Sequence, residues 1–245
     1  MARYQVILAY DGTEFLGYQR QKNARSVQGE VEAALRKIGW DGITILSAGR
    51  TDTGVHAAGQ VIAFDLDWRH DPGSLRQALN ANLPADISAR QVCEADASFH
   101  PRYGASSREY CYRILIDPVR FPKLERTTWR MDGPLNFALL QQSAALFFGE
   151  HDFSAFGNPP RPSGNTVRTV LRSEWQTDGN LVCYTVRANA FLYHMVRRLV
   201  FVQVVIATGR AYIQSLASNL AEGLPDFPGI APARGLELTS VQYGE

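Results

Sequence analysis

Lysine is nearly missing from this 245-residue chain: of its 25 lysines and arginines only Lys22, Lys37 and Lys123 are lysines, leaving 22 arginines. The formal net charge of +1 excludes a bulk polycation, so any nucleic-acid partner has to be met by local clusters of positive charge. A GC-rich or heat-adapted genome would give the same overall bias. At one place, though, an arginine offers a planar fork for phosphate or carboxylate and a face for ring stacking. Cysteine is also scarce. Cys93, Cys111 and Cys183 are odd in number, widely spaced and each set in an apolar, strand-like run, and no C-x-x-C occurs. That argues against a disulfide framework and a zinc site, and fits a reducing cytoplasm. There is no uninterrupted hydrophobic span either. The most apolar run, Phe191 to Ala207, is broken by His194, Arg197, Arg198 and Gln203, as in a buried helix rather than a membrane segment. Met1 to Tyr10 goes straight into a strand pattern and lacks the layout of a signal peptide.

With 45% hydrophobic and 20% charged residues, the chain has the composition of a well-cored globular protein. Its length fits one large domain or two of about 100–140 residues. Its most unusual stretch is Ser47-Ala-Gly-Arg-Thr-Asp-Thr-Gly-Val-His56, flanked by two apolar runs that read as strands, Ile43–Leu46 and Gly59–Asp65. A loop that only reverses direction needs a glycine and an Asn or Asp. This one crowds Arg50, Thr51, Asp52, Thr53 and His56 among glycines that permit tight turns and close approach of another backbone. As an isolated ten-residue stretch it also reads as an ordinary turn, with an Arg50–Asp52 surface pair worth under about 1 kcal/mol.

Tyr4 to Tyr10 reads as a strand ending at the turn signal Asp11-Gly12, and Arg20, Lys22 and Arg25 then form a small basic group beside Tyr18. Ser26 can cap a helix whose apolar positions Val27, Val31, Ala34, Leu35 and Ile38 hold a 3.6-residue period up to Gly39. Beyond the central loop, Ser74-Leu-Arg-Gln77 has the capping-box pattern of a short helix, and Ile87 to Glu94 is a weak strand. The polar stretch at His100-Pro101-Arg102 marks a boundary between residues 1–102 and 103–245. Past it, Glu109 to Ile116 alternates with Tyr110, Tyr112, Ile114 and Ile116 on one face. Pro134 opens a helix through Phe148, and Asn158 to Asn165 is a Pro-, Gly- and Ser-rich loop carrying Arg161. Thr166–Trp175 and Leu181–Ala188 form a hairpin across Asp178-Gly179. A long helix from Phe191 to Thr208, a short one from Ile213 to Leu220 and a strand Leu236–Tyr243 complete the pattern. The order strand–helix–strand–strand–helix–strand occurs twice, without a residue-level repeat. It predicts an α+β protein of two related domains, each a mostly antiparallel sheet with helices on one side, and a cleft between the halves.

Five blocks resemble one family: Tyr10-Asp-Gly-Thr-x-Phe-x-Gly17, Ser26-Val-Gln-Gly29, Ala48-Gly-Arg-Thr-Asp-Thr-Gly-Val-His-Ala57, Asn189-Ala-Phe-Leu-Tyr-His-Met-Val-Arg197 and Ala231-Pro-Ala-Arg-Gly-Leu236. They are similar, in the same order and over nearly the whole chain, to the tRNA pseudouridine synthases that act on the anticodon arm, the TruA family. The chain departs from that pattern at Tyr18, where a tryptophan is usual, and at Phe201, where a glycine often follows the arginine helix. The resemblance implies the pseudouridine synthase fold and the isomerisation of uridine to pseudouridine at positions 38, 39 and 40 of the anticodon stem-loop. Asp52 would be the nucleophile, attacking either the sugar anomeric carbon or the pyrimidine ring; both routes stay open. Inside a pocket that excludes water, desolvation alone would raise the pKa of Asp52, and the cation that offsets it matches Arg197. Tyr110 matches a tyrosine that stacks on the target base. Arg50 matches an arginine that fills the space left when the base flips out of its stack.

Phosphate contacts would fall to Arg20, Lys22 and Arg25, then Arg161 and Arg168, on an RNA read mostly by shape and stacking. The resemblance further implies a homodimer, with tRNA contacting both subunits, and neither cofactor nor metal. His56, His100, His151 and His194 show no ligand spacing, and His56 supports its loop. Two rival readings are a nucleoside or glycoside hydrolase, which needs a second carboxylate beside Asp52, and a pure RNA-binding module, which does not need Asp52 at all. Asp11 and Glu14 are the only loop acids placed to serve the first rival, and Asp11-Gly12 reads better as a turn.

Overall fold

The computed structural model of the chain describes residues 1–159, 163–222 and 227–244. It divides into two compact units, Met1–Ser106 with Glu237–Glu245, and Ser107–Leu236. Each is a mixed α+β body built on a mostly antiparallel sheet.

The first unit begins with β1 (Ala2–Tyr10), where Tyr4, Val6, Leu8 and Tyr10 are buried at the two-residue period of a strand. α1 (Val27–Lys37) is capped by Ser26, whose Oγ accepts the Gly29 N–H at 3.4 Å, and it buries Val27, Val31, Ala34 and Leu35. Gly39, at φ 94°, ends it in the left-handed region open to glycine. β2 is only Leu46–Ser47, and β3 runs His56–Leu66. The strand expected from Ile43 is shorter for a physical reason. The Ile45 N–H goes to the Glu32 carboxylate at 3.2 Å rather than to a ladder partner, and Ile43 is 86% exposed. α2 (Pro72–Asn82) starts earlier than the Ser74 pattern suggests. Asp71 caps it, taking both the N–H and the hydroxyl of Ser74, and Pro72 stands where its missing N–H costs nothing. β4 (Ile87–Ala95) completes the order β4-β1-β3, antiparallel throughout, with β2 on β3.

The second unit holds β5 (Ala105–Ile116), β6 (Trp129–Met131), α3 (Phe137–Leu146), β7 (Gly149–Asp152), β8 (Val167–Asp178), β9 (Leu181–Ala188), α4 (Met195–Ala207) and α5 (Ile213–Glu222). The sheet order is β5-β9-β8-β7, and β6 lies parallel to β5. Tyr112, Ile114, Val170, Trp175, Tyr184 and Val186 are buried, and α3 packs on β8 and on α4. Two buried polar side chains of that core satisfy each other: the Trp175 indole donates to Gln203 Oε1 at 2.7 Å, and Gln203 Nε2 donates to the Leu199 carbonyl at 2.9 Å. Two helix starts differ from expectation. α3 begins at the Asn136 cap rather than at Pro134. α4 begins four residues after Phe191, because His194 sits at φ 66° as its N-terminal flank. The element order predicted for the second half does form, with the short strands β6 and β7 added, but its last strand does not stay with the second unit. β10 (Leu236–Tyr243) instead lies parallel to β3 in the first unit, pairing Glu237 with His56 and Leu238 with Ala57.

Candidate active site

Between β2 and β3 the chain makes the loop of residues 48–55, and a separate stretch, residues 10–18, clamps it from outside. The loop is pinned at both ends. Ala48 N–H donates to the Val61 carbonyl at 2.9 Å, and Gln60 Nε2 donates to the Gly49 carbonyl at 3.1 Å. Further on, the Thr51 carbonyl accepts the Tyr18 N–H at 3.0 Å, and the Thr51 hydroxyl meets the Tyr10 hydroxyl at 2.8 Å. Burial pushes the Tyr10 phenol up to about 12, with the Thr51 contact acting against that rise, so Tyr10 keeps its proton. The Gly54 N–H reaches the Phe15 carbonyl at 3.4 Å, and the Gly12 N–H donates to His56 Nδ1 at 3.0 Å. The Asp11 carboxylate lies 3.2 Å from the same nitrogen.

Two glycines make the clamp possible. A Cβ at Gly12 would lie 2.0 Å from the Val55 carbonyl oxygen. Gly17, at φ 89°, combines a left-handed backbone with a 3.1 Å approach to the Thr51 carbonyl.

Asp52 occupies the first position of the turn this clamp encloses. The Val55 N–H donates to the Asp52 carbonyl at 3.1 Å, and Gly54, third in the turn, takes φ 76°. The Asp52 side chain is half-buried and that of Arg50, two residues earlier, is exposed. The first unit thus brings Arg50, Asp52 and His56 onto one rigidly held loop. The support given by Phe15, Gly17 and Tyr18 was missed from the sequence. It runs largely through backbone atoms, whose partners leave no side-chain signature.

In the second unit, Tyr110 on β5 is half-buried, and its ring meets Phe191 edge-on at 5.1 Å and 89°. Arg197 lies in the first turn of α4, where Nε donates to the Ala231 carbonyl at 2.7 Å while the Ala231 N–H donates to the Arg197 carbonyl at 3.1 Å.

The expected phosphate contacts divide. Arg20 pairs with Glu32, which has no exposed side-chain surface, and Arg25 lies bidentate on Asp86 at 2.7 and 2.9 Å, contacts Glu30 and stacks over Phe15. Both charges are therefore largely compensated within the protein. Lys22 is exposed. Arg168 is partly buried with its Nη1 on the carbonyls of Asn165 and Val167; burial lowers its pKa, and no carboxylate faces it among the described residues. Arg161 lies outside the described residues. No three His, Cys, Asp or Glu side chains gather among the described residues, and no described helix is long and apolar enough to cross a membrane.

A family model described as "tRNA pseudouridine synthase" matches residues 6–104 and 143–244. The chain belongs to this family of isomerases. Among curated relatives named tRNA pseudouridine synthase A, it is 38% identical to that of Pseudothermotoga lettingae over 245 residues, covering 99% of this chain and 100% of the relative. It is 40% identical to that of Brevibacillus brevis over 244 residues, with the same coverage, and 34% identical to that of Citrifermentans bemidjiense, covering 100% and 99%. A solved Cbf5-Nop10-Gar1 complex overlaps at a TM-score of 0.34 and 13% identity, over 98% of this chain and about half (48%) of that one. So loose an overlap carries no weight.

Proposed function

We propose that this protein isomerises uridine to pseudouridine in tRNA, at positions 38, 39 and 40 of the anticodon stem-loop, with Asp52 as the nucleophile. The observation that carries the reading is the clamp. Six hydrogen bonds from outside or across the loop hold residues 48–56, and they leave Asp52 at the head of a turn whose backbone cannot shift without breaking them. Such fixity is what positioning a reacting carboxylate requires, since a misplacement of about 1 Å costs up to about a hundredfold in rate.

In the reaction the bond from C1′ to N1 breaks and one from C1′ to C5 forms. C5 gives up its hydrogen to solvent and N1 gains a proton, so the change is redox-neutral. Asp52 supplies the electron pair that holds sugar or ring while the base turns. Arg197 supplies the cation that keeps a desolvated carboxylate ionised. Tyr110, with its ring set by Phe191, offers a stacking face, and Arg50 offers a flexible cation to fill the place of the flipped base. Arg168 suits a phosphate, because an anion there would relieve a cation that burial now disfavours. Lys22 and Arg161 serve the same backbone, and the protein works as a homodimer in a reducing cytoplasm, in keeping with its odd count of three cysteines and the lack of any C-x-x-C in the sequence.

The test is tritium release from tRNA labelled at uracil C5, wild type beside Asp52→Asn. Release by the wild type alone supports the reading. Release by neither, with RNA still bound, would leave an RNA-binding protein, and release by both would mean that another carboxylate does the work. Free uracil among the products would point to a hydrolase.

A further inference from the structure

The family's reaction gives no role to Phe201, yet its ring occupies an unusual seat. On α4, Phe201 stands four residues after Arg197, so both side chains lie on one face of the helix, one turn apart. Against that face runs the segment of residues 229–235, in the opposite direction. Ala231 exchanges two hydrogen bonds with Arg197, and Gly229 lies directly under the Phe201 ring. A Cβ built at Gly229 would come within 2.2 Å of two ring carbons and 2.8 Å of a third. No side chain larger than hydrogen fits there while the ring keeps its place. The far end of the segment is equally fixed. The Tyr112 hydroxyl donates to the Pro232 carbonyl at 2.8 Å, Arg234 Nε donates to the Thr128 carbonyl at 3.1 Å, and Gly235 packs against the Tyr112 ring with room for no Cβ.

We propose that Phe201 is a positioning residue for Arg197: its ring, seated on Gly229, sets where the Ala231 carbonyl holds the Arg197 guanidinium. The segment is a strap with anchors on both sides of Ala231, Gly229 on Phe201 before it and Pro232, Arg234 and Gly235 after it. With the second set alone, Ala231 is held before Pro232 only by its own N–H bond to the Arg197 carbonyl, and Arg197 Nε follows any shift of its acceptor. With both, the acceptor is fixed and the guanidinium has one direction left. The proposal rests on the reading that Arg197 serves catalysis.

Gly229→Ala, Phe201→Ala, the double variant and Arg197→Lys would be compared by tritium release and by hydrogen exchange at the Ala231 amide. Gly229→Ala should lower kcat by roughly tenfold or more while KM moves by less than about twofold, as expected for misorientation rather than lost binding. Exchange at Ala231 should rise in the same variant, because that N–H is the strap's own bond to Arg197. The double variant, in which the added methyl finds the ring gone, should recover part of both losses. A double variant no better than Gly229→Ala would overturn the proposal, as would loosened exchange with unchanged kcat. If Arg197→Lys is inactive but Gly229→Ala is fully active, the reading of Arg197 stands and this proposal falls. If Arg197→Lys keeps full activity, the reading itself falls. Should Gly229→Ala fold poorly, Phe201→Leu loosens the seat without adding a clash and is expected to show a smaller fall in kcat than the clash would give, again with KM nearly unchanged.

Discussion

Replacing Glu32 with alanine should be among the most damaging single changes in the first unit, although Glu32 lies outside the proposed catalytic loop. Its carboxylate, with no exposed surface, accepts from Ile45 N–H at 3.2 Å, Gln28 Nε2 at 2.9 Å, the Thr44 hydroxyl at 3.2 Å and Arg20 Nη1 at 2.5 Å. Gln28 is fully used as well, its Oε1 accepting from Gln19 Nε2 and from the Arg20 N–H. Removing the carboxylate strands the Ile45 N–H, at about 1–3 kcal/mol for a buried orphan. Gln28 keeps Thr44 as an acceptor, and Arg20, 43% exposed, can turn to water, so each adds less. The lost side-chain packing adds about another 1 kcal/mol. Together these give about 3 kcal/mol, or a fall of roughly 6–12 °C in melting temperature for a chain of this size. Urea unfolding of wild type, Glu32→Ala and Arg20→Ala at neutral pH measures it. A loss under about 1 kcal/mol, or an equal loss from Arg20→Ala, would refute this account, in which the neutral donors carry more of the stability than the ion pair does.

Gln203→Leu leaves the buried Trp175 indole N–H without its acceptor, so stability should drop by about 1–3 kcal/mol, with tryptophan fluorescence following the transition. Asp65 has its pKa lowered chiefly by its hydrogen bonds to Arg3, with burial opposing. A depressed folded value means that its stabilisation is present above the ordinary carboxylate range and lost as pH falls through the folded value. The stability gap between wild type and Asp65→Asn should therefore hold near neutrality and close in acid; a gap that widened on acidification would contradict the assignment.

Regular elements with dense side-chain signals were legible in the sequence. Ser26 and Gly39 bracketed α1, Asp178-Gly179 marked the β8–β9 hairpin, and the last strand, expected at Leu236–Tyr243, coincides with β10. Errors arose where a distant or unusual group overrode local preference. Glu32 captured the backbone that Ile43–Leu46 would have used as a strand, and His194 adopted a left-handed conformation that no sequence pattern announces for a histidine. The loop around Asp52 stood out by composition alone. Its clamp did not, and neither did the partners of Arg20 and Arg25, of which Asp86 lies 61 residues away. Basic residues look alike in sequence whether a carboxylate awaits them or not.

The pairing of β10 with β3 has a consequence for biosynthesis. Residues 237–243 leave the ribosome after the whole second unit, yet they cover the part of β3 that begins at His56, where a Cβ on Gly59 would strike the Thr239 carbonyl at 2.3 Å. Until they arrive, the nascent first unit carries an unpaired strand edge immediately after the loop that holds Asp52, and such an edge is a template for pairing with other chains. A chain truncated before residue 236 would keep every proposed catalytic side chain and still be the form most prone to aggregate.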